Sequence, residues 1–168
     1  MDWDQPKYRL RDAAKVSGWP LNTLRDYFAR DVFSWQEGDA SADVAGSSAL
    51  LSLRSVMRLA IARHLWMCCQ RPKDAFLAAI QFTDVGSRSH DPASRLPGEL
   101  FDHAFETLLV FRPQQGAHVI AVERSKRLDI DEITTDIFGS PGAVIVLDVG
   151  AVFHGILKHL EITTGSRE

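Results

Sequence analysis

The fold of the N-terminal part of this chain is decided by the stretch YRLRDAAKVSGWPLNTLRDYFARDVF (residues 8–33). Its apolar residues recur at helical spacing, which predicts one helix over residues 8–18 and a second over residues 21–30. Between them, Gly18 ends the first helix, and Pro20 suits the start of the second because the N–H group that proline lacks is not needed there. Two short helices joined by a tight turn predict a helix-turn-helix.

The next segment predicts a loop and then a long helix. Residues 35–48 are rich in Gly, Ala, Ser and Asp and lack periodicity, which predicts an exposed loop or the hairpin of a wing. Ser52 can cap a third helix from residue 53 to about residue 70, with a broad apolar face. Three arginines are expected on the side away from that face: Arg54, Arg58 and Arg63.

Beyond a fourth helix over residues 73–82, the breaker run at residues 86–92 marks a domain boundary, and the hydrophobic period changes. We predict a short helix near residues 99–103, a hairpin of residues 105–112 and 118–124, a helix over 129–138, a strand over 143–149 and a helix over 151–161. The expected fold class is α+β. A mostly helical winged helix-turn-helix (1–86) precedes a small α+β domain of order ββαβα (93–168).

Composition excludes several classes of protein. The chain has 168 residues, of which 45% are hydrophobic and 24% charged, and this is typical of a globular protein with a substantial core. Its two cysteines, Cys68 and Cys69, are adjacent, so they predict neither a disulfide framework nor a zinc site. The start of the chain lacks the pattern of a secretory signal, and no apolar run is long enough to cross a membrane. We therefore expect a cytoplasmic protein.

Charge is unevenly distributed along the chain. The net charge is -3, yet between residues 7 and 30 Lys and Arg outnumber Asp and Glu by six to two. From residue 91 onward the acidic residues outnumber the basic ones by twelve to seven. Any binding of nucleic acid must therefore come from a local surface in the N-terminal part.

The start of the second helix carries the candidate base-reading residues, Asn22, Thr23 and Arg25. An α-helix fits the major groove of DNA, which is about 12 Å wide, and side chains near the helix start can reach base edges. Asn22 is assigned to an adenine, which asparagine can bind bidentately, and Arg25 to a guanine or a phosphate. The helix N-terminus itself favours a phosphate.

Further candidates are expected to bind the DNA backbone. Arg11, Lys15 and Tyr27 are assigned as backbone clamps. Arg54 and Arg58 lie four positions apart, which places them on one face of the third helix, and they form a second set of phosphate-binding candidates.

Residues 8–33, together with the helix LSLRSVMRLAIARHL (residues 51–65), resemble the winged helix-turn-helix of MerR-type transcriptional regulators. Residues 13–18, Ala-Ala-Lys-Val-Ser-Gly, match the family's first helix and its Gly-containing turn, and residues 23–27 match its Thr-Leu-Arg-x-Tyr run. The resemblance covers about the first 85 residues. It implies that the second helix enters the major groove and that Arg25 and Tyr27 touch the DNA backbone. The predicted α+β domain stands where the family has a coiled coil.

The sequence thus predicts a double-stranded DNA-binding transcriptional regulator. A homodimer is expected, because one short recognition helix reads few base pairs. No cofactor, metal or catalytic residue is predicted, and the effector is left unidentified. One alternative is a protein-binding adaptor that uses the helix-turn-helix without DNA. A second is a nuclease-like C-terminal domain, in which Asp148, between a strand and a helix, would bind a metal.

Overall fold

The computed structural model describes residues 2–40, 49–87 and 94–165. The helices in these ranges are α1 (Leu10–Ser17), α2 (Leu21–Ala29), α3 (Leu53–Cys69), α4 (Pro72–Thr83), α5 (Ile130–Phe138) and α6 (Val149–Gly165). The strands are β1 (Tyr8–Arg9), β2 (Leu50–Leu51), β3 (Phe105–Arg112), β4 (Gly116–Glu123) and β5 (Ile145–Asp148). Helices combined with two small antiparallel sheets confirm the α+β class.

A left-handed glycine and a buried tryptophan shape the turn between α1 and α2. Gly18 follows α1 with a φ of 78°, a conformation that strains a residue with a Cβ atom. The Trp19 ring is buried, and its Nε1 donates a hydrogen bond of 2.8 Å to the carbonyl oxygen of Leu59 in α3. Pro20 holds an extended backbone directly before α2. The turn is therefore anchored to the central helix.

The small sheet lies next to this helix pair. β1 pairs with β2, so α1 begins at Leu10 and not at residue 8 as predicted. Ala40 and Leu50 form an antiparallel bridge through two backbone hydrogen bonds of 2.9 Å. The loop or wing predicted over residues 35–48 is described as far as residue 40, and the rest of it lies outside the described residues.

α3 is the central helix of the fold. The Ser52 side chain accepts the N–H of Ser55 at 3.2 Å and caps the helix as predicted. α1, α4 and α6 all pack against α3, so residues on all its sides are excluded from water: Leu53, Val56, Met57, Leu59, Ala60, Ile61, Ala62 and Leu65.

A three-stranded antiparallel sheet of order β4-β3-β5 follows. Leu109 of β3 lies opposite Val119 of β4 and Leu147 of β5. The predicted hairpin is therefore present, with β4 beginning two residues earlier than expected. β5 ends at Asp148, because its Oδ1 accepts the N–H of Ala151 at 2.9 Å in the first turn of α6.

The helix predicted near residues 99–103 is wrong, because this segment forms no helix. Gly98 has a φ of 81°, which turns the chain before the segment. Phe101 is buried, and its N–H donates a hydrogen bond of 2.9 Å to the Thr107 hydroxyl of β3. A bond to a neighbouring strand replaces the bond that a helix would make.

One apolar core includes residues from both sides of the predicted domain boundary. Leu59 and Phe82 from the N-terminal part share this core with Leu109 and Ile156 from the C-terminal part. α6 packs on α1, α3 and β3. Among the helices of the described residues, none combines the length and the hydropathy of a membrane span.

Candidate nucleic-acid interface

The start of α2 presents polar side chains at the surface. Asn22 and Arg25 are exposed, and Thr23 is half-buried. None of the three side chains has a hydrogen bond or an ion pair to another described residue. The N-cap position is Pro20, which supplies no side-chain acceptor, so the first N–H groups of α2 remain available to a phosphate.

α1 contributes two exposed cations, Arg11 and Lys15. They are four positions apart and therefore lie on one face of the helix. Within the described ranges neither side chain has an ion-pair partner. α1 and α2 pack against each other, so the helix pair carries these two cations together with Arg25.

Tyr27 is half-buried at the edge of the core. Its ring packs edge-on against the rings of Trp19, with centroids 5.6 Å apart, and Phe33, with centroids 5.0 Å apart. This packing fixes the ring and leaves part of it at the surface. Such a residue stabilises the fold whether or not it touches a ligand.

The arginine directly after α2 is already paired. Arg30 donates to Asp26 across 3.0 Å, and both side chains are exposed. Exposed pairs of this kind contribute little to stability and are screened by salt. Arg30 nevertheless differs from Arg25, because its charge is balanced within the helix.

Arg54 is committed to contacts within the protein. Its Nε donates to Asp4 at 2.6 Å, and its Nη1 donates to the carbonyl oxygen of Thr83. Its guanidinium also lies 5.7 Å from the centroid of the Trp3 ring. The bond to Arg54 holds the pKa of the Asp4 carboxyl below its usual value. The guanidinium therefore links the N-terminal segment to the end of α4.

The expectation that Arg58 lies on an exposed face is wrong, because its side chain is 0% exposed. Nη2 donates to both carboxylate oxygens of Asp84 at 2.6 Å, and Nε donates to the Thr83 hydroxyl at 3.1 Å. The guanidinium also lies 5.5 Å from the ring centroid of Phe76. Burial lowers the pKa of Arg58, and Asp84 opposes this shift. In this position Arg58 cannot reach a phosphate.

Arg63, also predicted to lie away from the core, packs against two rings. Its guanidinium lies 5.3 Å from the ring centroid of Trp19 and 4.7 Å from that of Trp66. Its Nε donates to the carbonyl oxygen of Gly18 at 3.1 Å. This contact supports the turn before α2, and no local pattern in the sequence predicts it.

Asp148 belongs to a separate cavity of about 450 Å³ in the C-terminal part. His103, Glu106 and His154 also line this cavity. The carboxylate already accepts an N–H at the start of α6, which is an ordinary capping role. The described part of the chain contains no group of three His, Cys, Asp or Glu residues placed to hold a metal ion.

The comparisons with known proteins add no family. No protein-family model matches this sequence. A search of curated proteins also finds no significant match. The arrangement of residues on α1 and α2 is therefore the basis for a functional proposal.

Proposed function

We propose that this protein binds double-stranded DNA sequence-specifically and regulates transcription, with α2 inserted into the major groove. The observation that carries the proposal is a pair of exposed side chains, Asn22 and Arg25, which have no partner among the described residues and lie at the start of α2, where Pro20 supplies no cap. Asparagine and arginine are the side chains that bind adenine and guanine bidentately.

The scaffold supports this use of α2. Gly18 and Trp19 fix the turn before the helix, and Arg63 braces that turn from α3. A recognition helix needs such support, because base contacts depend on its exact position in the groove. Arg11 and Lys15 on α1 supply charge for the adjacent phosphates.

The antiparallel bridge between Ala40 and Leu50 joins the two described ends of the segment that we propose as a wing. The proposed protein acts as a homodimer, since a twofold axis doubles the number of base pairs that one short helix reads. The domain division at residues 86–93 remains part of this proposal. Arg54 and Arg58 are not part of the interface, because both guanidinium groups are bound within the protein.

The test is a selection from sheared genomic DNA, followed by salt titrations on the best fragment and on an unrelated fragment of equal length. We expect a few enriched sites with a twofold-symmetric motif. Affinity for the best site should fall about a thousandfold between about 50 and 200 mM salt, given six or so phosphate contacts. Asn22→Ala should blur the base preference more than it weakens binding.

If no fragment is enriched and both fragments bind equally weakly, the proposal is wrong. The helix-turn-helix would then be a protein-contact module, and a partner protein would be the next object of search.

A further inference from the structure

β5 (Ile145–Asp148) lies at the edge of its sheet but has the sequence of a buried strand. Residues 143–147 read Ala-Val-Ile-Val-Leu, five apolar residues in succession. Such a run is typical of a strand inside a sheet that is buried on both faces. In the structure β5 pairs with β3 alone, at one end of the order β4-β3-β5. Residues 144–147 are only half-buried there.

The outer edge of β5 is open as far as the structure describes the chain. No backbone N–H or carbonyl of residues 143–147 bonds to any described segment other than β3. An open edge presents a row of donors and acceptors to which another strand can pair. Edge strands are usually protected by charged side chains or a proline, and residues 143–147 contain neither. This edge therefore lacks the features that keep strands of separate chains apart.

β4 (Gly116–Glu123), at the other end of the sheet, is more polar. It begins with a glycine, exposes His118 and ends in Glu123. Glu123 in turn pairs with Lys126 at 3.1 Å. Of the two edges, β5 is thus the one whose side chains favour pairing with a further strand.

A second copy of β5 matches this edge. In an antiparallel pair centred on Ile145, residues 143–147 of the two copies lie opposite one another, so every pair is apolar. Apolar and β-branched pairs across strands stabilise a sheet. The two Asp148 residues then lie six positions apart along the strand direction, or about 20 Å, well beyond the screening length of about 8 Å at physiological salt. The pairing covers the apolar run without bringing like charges together.

Pairing through β5 also stops at two copies. It joins two three-stranded sheets into one sheet whose free edges are both β4. No β5 edge then remains for a third chain. The arrangement has a twofold axis at Ile145, which is the symmetry of most homodimers.

We propose that β5 is the dimer interface of this protein, formed by antiparallel pairing of residues 143–147 with the same residues of a second copy. The inference rests on the proposed function, because it assigns an interface to the homodimer proposed there. The interface includes none of the residues proposed to bind DNA, so it can be measured without DNA.

Sedimentation velocity without DNA tests the interface. Five residues a side form a small interface, so we expect a dimer with a dissociation constant on the order of 10 µM. Val144→Lys places a charge within the strand pair and should weaken the dimer at least about tenfold. Val122→Lys places the same charge on β4, at a residue that is also half-buried, and should leave dimerisation unchanged. Circular dichroism verifies that both variants fold.

Disulfide cross-linking tests the register with smaller side chains. The background is Cys68→Ser with Cys69→Ser, which removes both native thiols. Ile145→Cys then places a thiol opposite its equivalent in the second copy, within the Cα separation of about 4.4–6.8 Å that a disulfide requires. We expect a cross-linked dimer in oxidised glutathione. Ile120→Cys, at a half-buried position of β4, should stay monomeric on a denaturing gel.

A parent protein that stays monomeric at about 200 µM overturns the proposal and leaves this edge to a strand of another protein. A dimer that a folded Val144→Lys leaves intact also overturns it. If Val144→Lys does not fold, the cross-linking of Ile145→Cys decides alone. If the DNA selection enriches no site while the dimer responds to the β5 variants as expected, the proposed function is wrong and the interface stands.

Discussion

Arginines on α2 and on α3 have opposite environments in this molecule, although each helix carries them among apolar neighbours. Arg25 on α2 is exposed and has no partner among the described residues. Arg58 on α3 is fully buried and bound to Asp84 and Thr83. The same side chain is therefore available to a ligand on one helix and committed to the fold on the other.

The difference arises from what surrounds each helix. α2 has one buried stripe, formed by Leu24 and Phe28, and its other faces remain at the surface. α3 packs against three other helices, and in its first ten residues nearly every side chain is buried, so Arg58 has no direction that leads to water. A count of positive charges on a helix therefore indicates a binding surface only where the helix keeps an open face.

The sharpest test of this comparison is the same substitution at both positions. Arg58→Ala leaves Asp84 and Thr83 without their donor and should lower the free energy of unfolding by about 3 kcal/mol, because Asp84 is 35% exposed and hydrates in part. Arg25→Ala should change it by less than about 0.5 kcal/mol. Urea denaturation of both variants measures this, and equal losses would remove the distinction between the two arginines.

In DNA binding, unlike in stability, Arg25 should have the larger effect, and Arg30 directly after α2 provides the comparison. Arg25→Ala should lower affinity for the selected site about tenfold and reduce the slope of log affinity against log salt by about one. Arg30→Ala is the matched control, since Arg30 is paired with Asp26, and its effect should be smaller. Fluorescence anisotropy across a salt series provides both values. A larger effect at Arg30 would place the contact at the other end of the helix.

The turn that holds α2 can be tested apart from the arginines. Gly18→Ala should cost about 1 kcal/mol of stability, because its φ of 78° is strained for alanine. A Cβ there would lie 3.9 Å from Arg63 Cγ, so a steric clash does not contribute. Gly155→Ala in α6, where a Cβ meets nothing within 4 Å, should be neutral or stabilising. Thermal unfolding should therefore show a lower Tm for Gly18→Ala and an unchanged or higher Tm for Gly155→Ala.

The smallest expected effect concerns Asp4 and its pH dependence. The bond to Arg54 lowers the pKa of Asp4, so its contribution to stability is present above the unfolded-state pKa of about 3.9. It is lost as the pH falls through the lower folded-state pKa. The Asp4 side chain is 60% exposed, so Asp4→Asn should cost under about 1 kcal/mol near neutral pH. The parent and the variant should converge below about pH 4, and a constant difference at all pH values would contradict this.

Local patterns predicted most of the elements. Gly18 and Pro20 indicated the turn between α1 and α2, and Ser52 indicated the start of α3, because each acts on its own backbone. The helix predicted near residues 99–103 was wrong, because the Phe101 N–H donates to Thr107 of β3, a residue outside the local pattern.

The roles of the candidate arginines on α3 were harder to predict from the sequence. Asp84 follows Arg58 by 26 positions, and no short motif joins them. The apolar neighbours Met57 and Leu59 on either side of Arg58 were the signal that this part of α3 is buried on all sides. The ion pairs of Arg54 with Asp4 and of Arg58 with Asp84 join three separate parts of the chain, so they could be found only in three dimensions.

The packing of α6 on α1 has a consequence for biosynthesis. α1 begins at Leu10, and its covering helix begins at Val149. The first helix therefore emerges from the ribosome long before the segment that completes its environment. α2 and α3 can cover most of its apolar face early, but the part that faces α6 stays uncovered during most of translation, a period in which exposed hydrophobic surface favours aggregation and chaperone binding. A chain halted before residue 149 should therefore expose the apolar surfaces of α1, α3 and β3 that α6 covers.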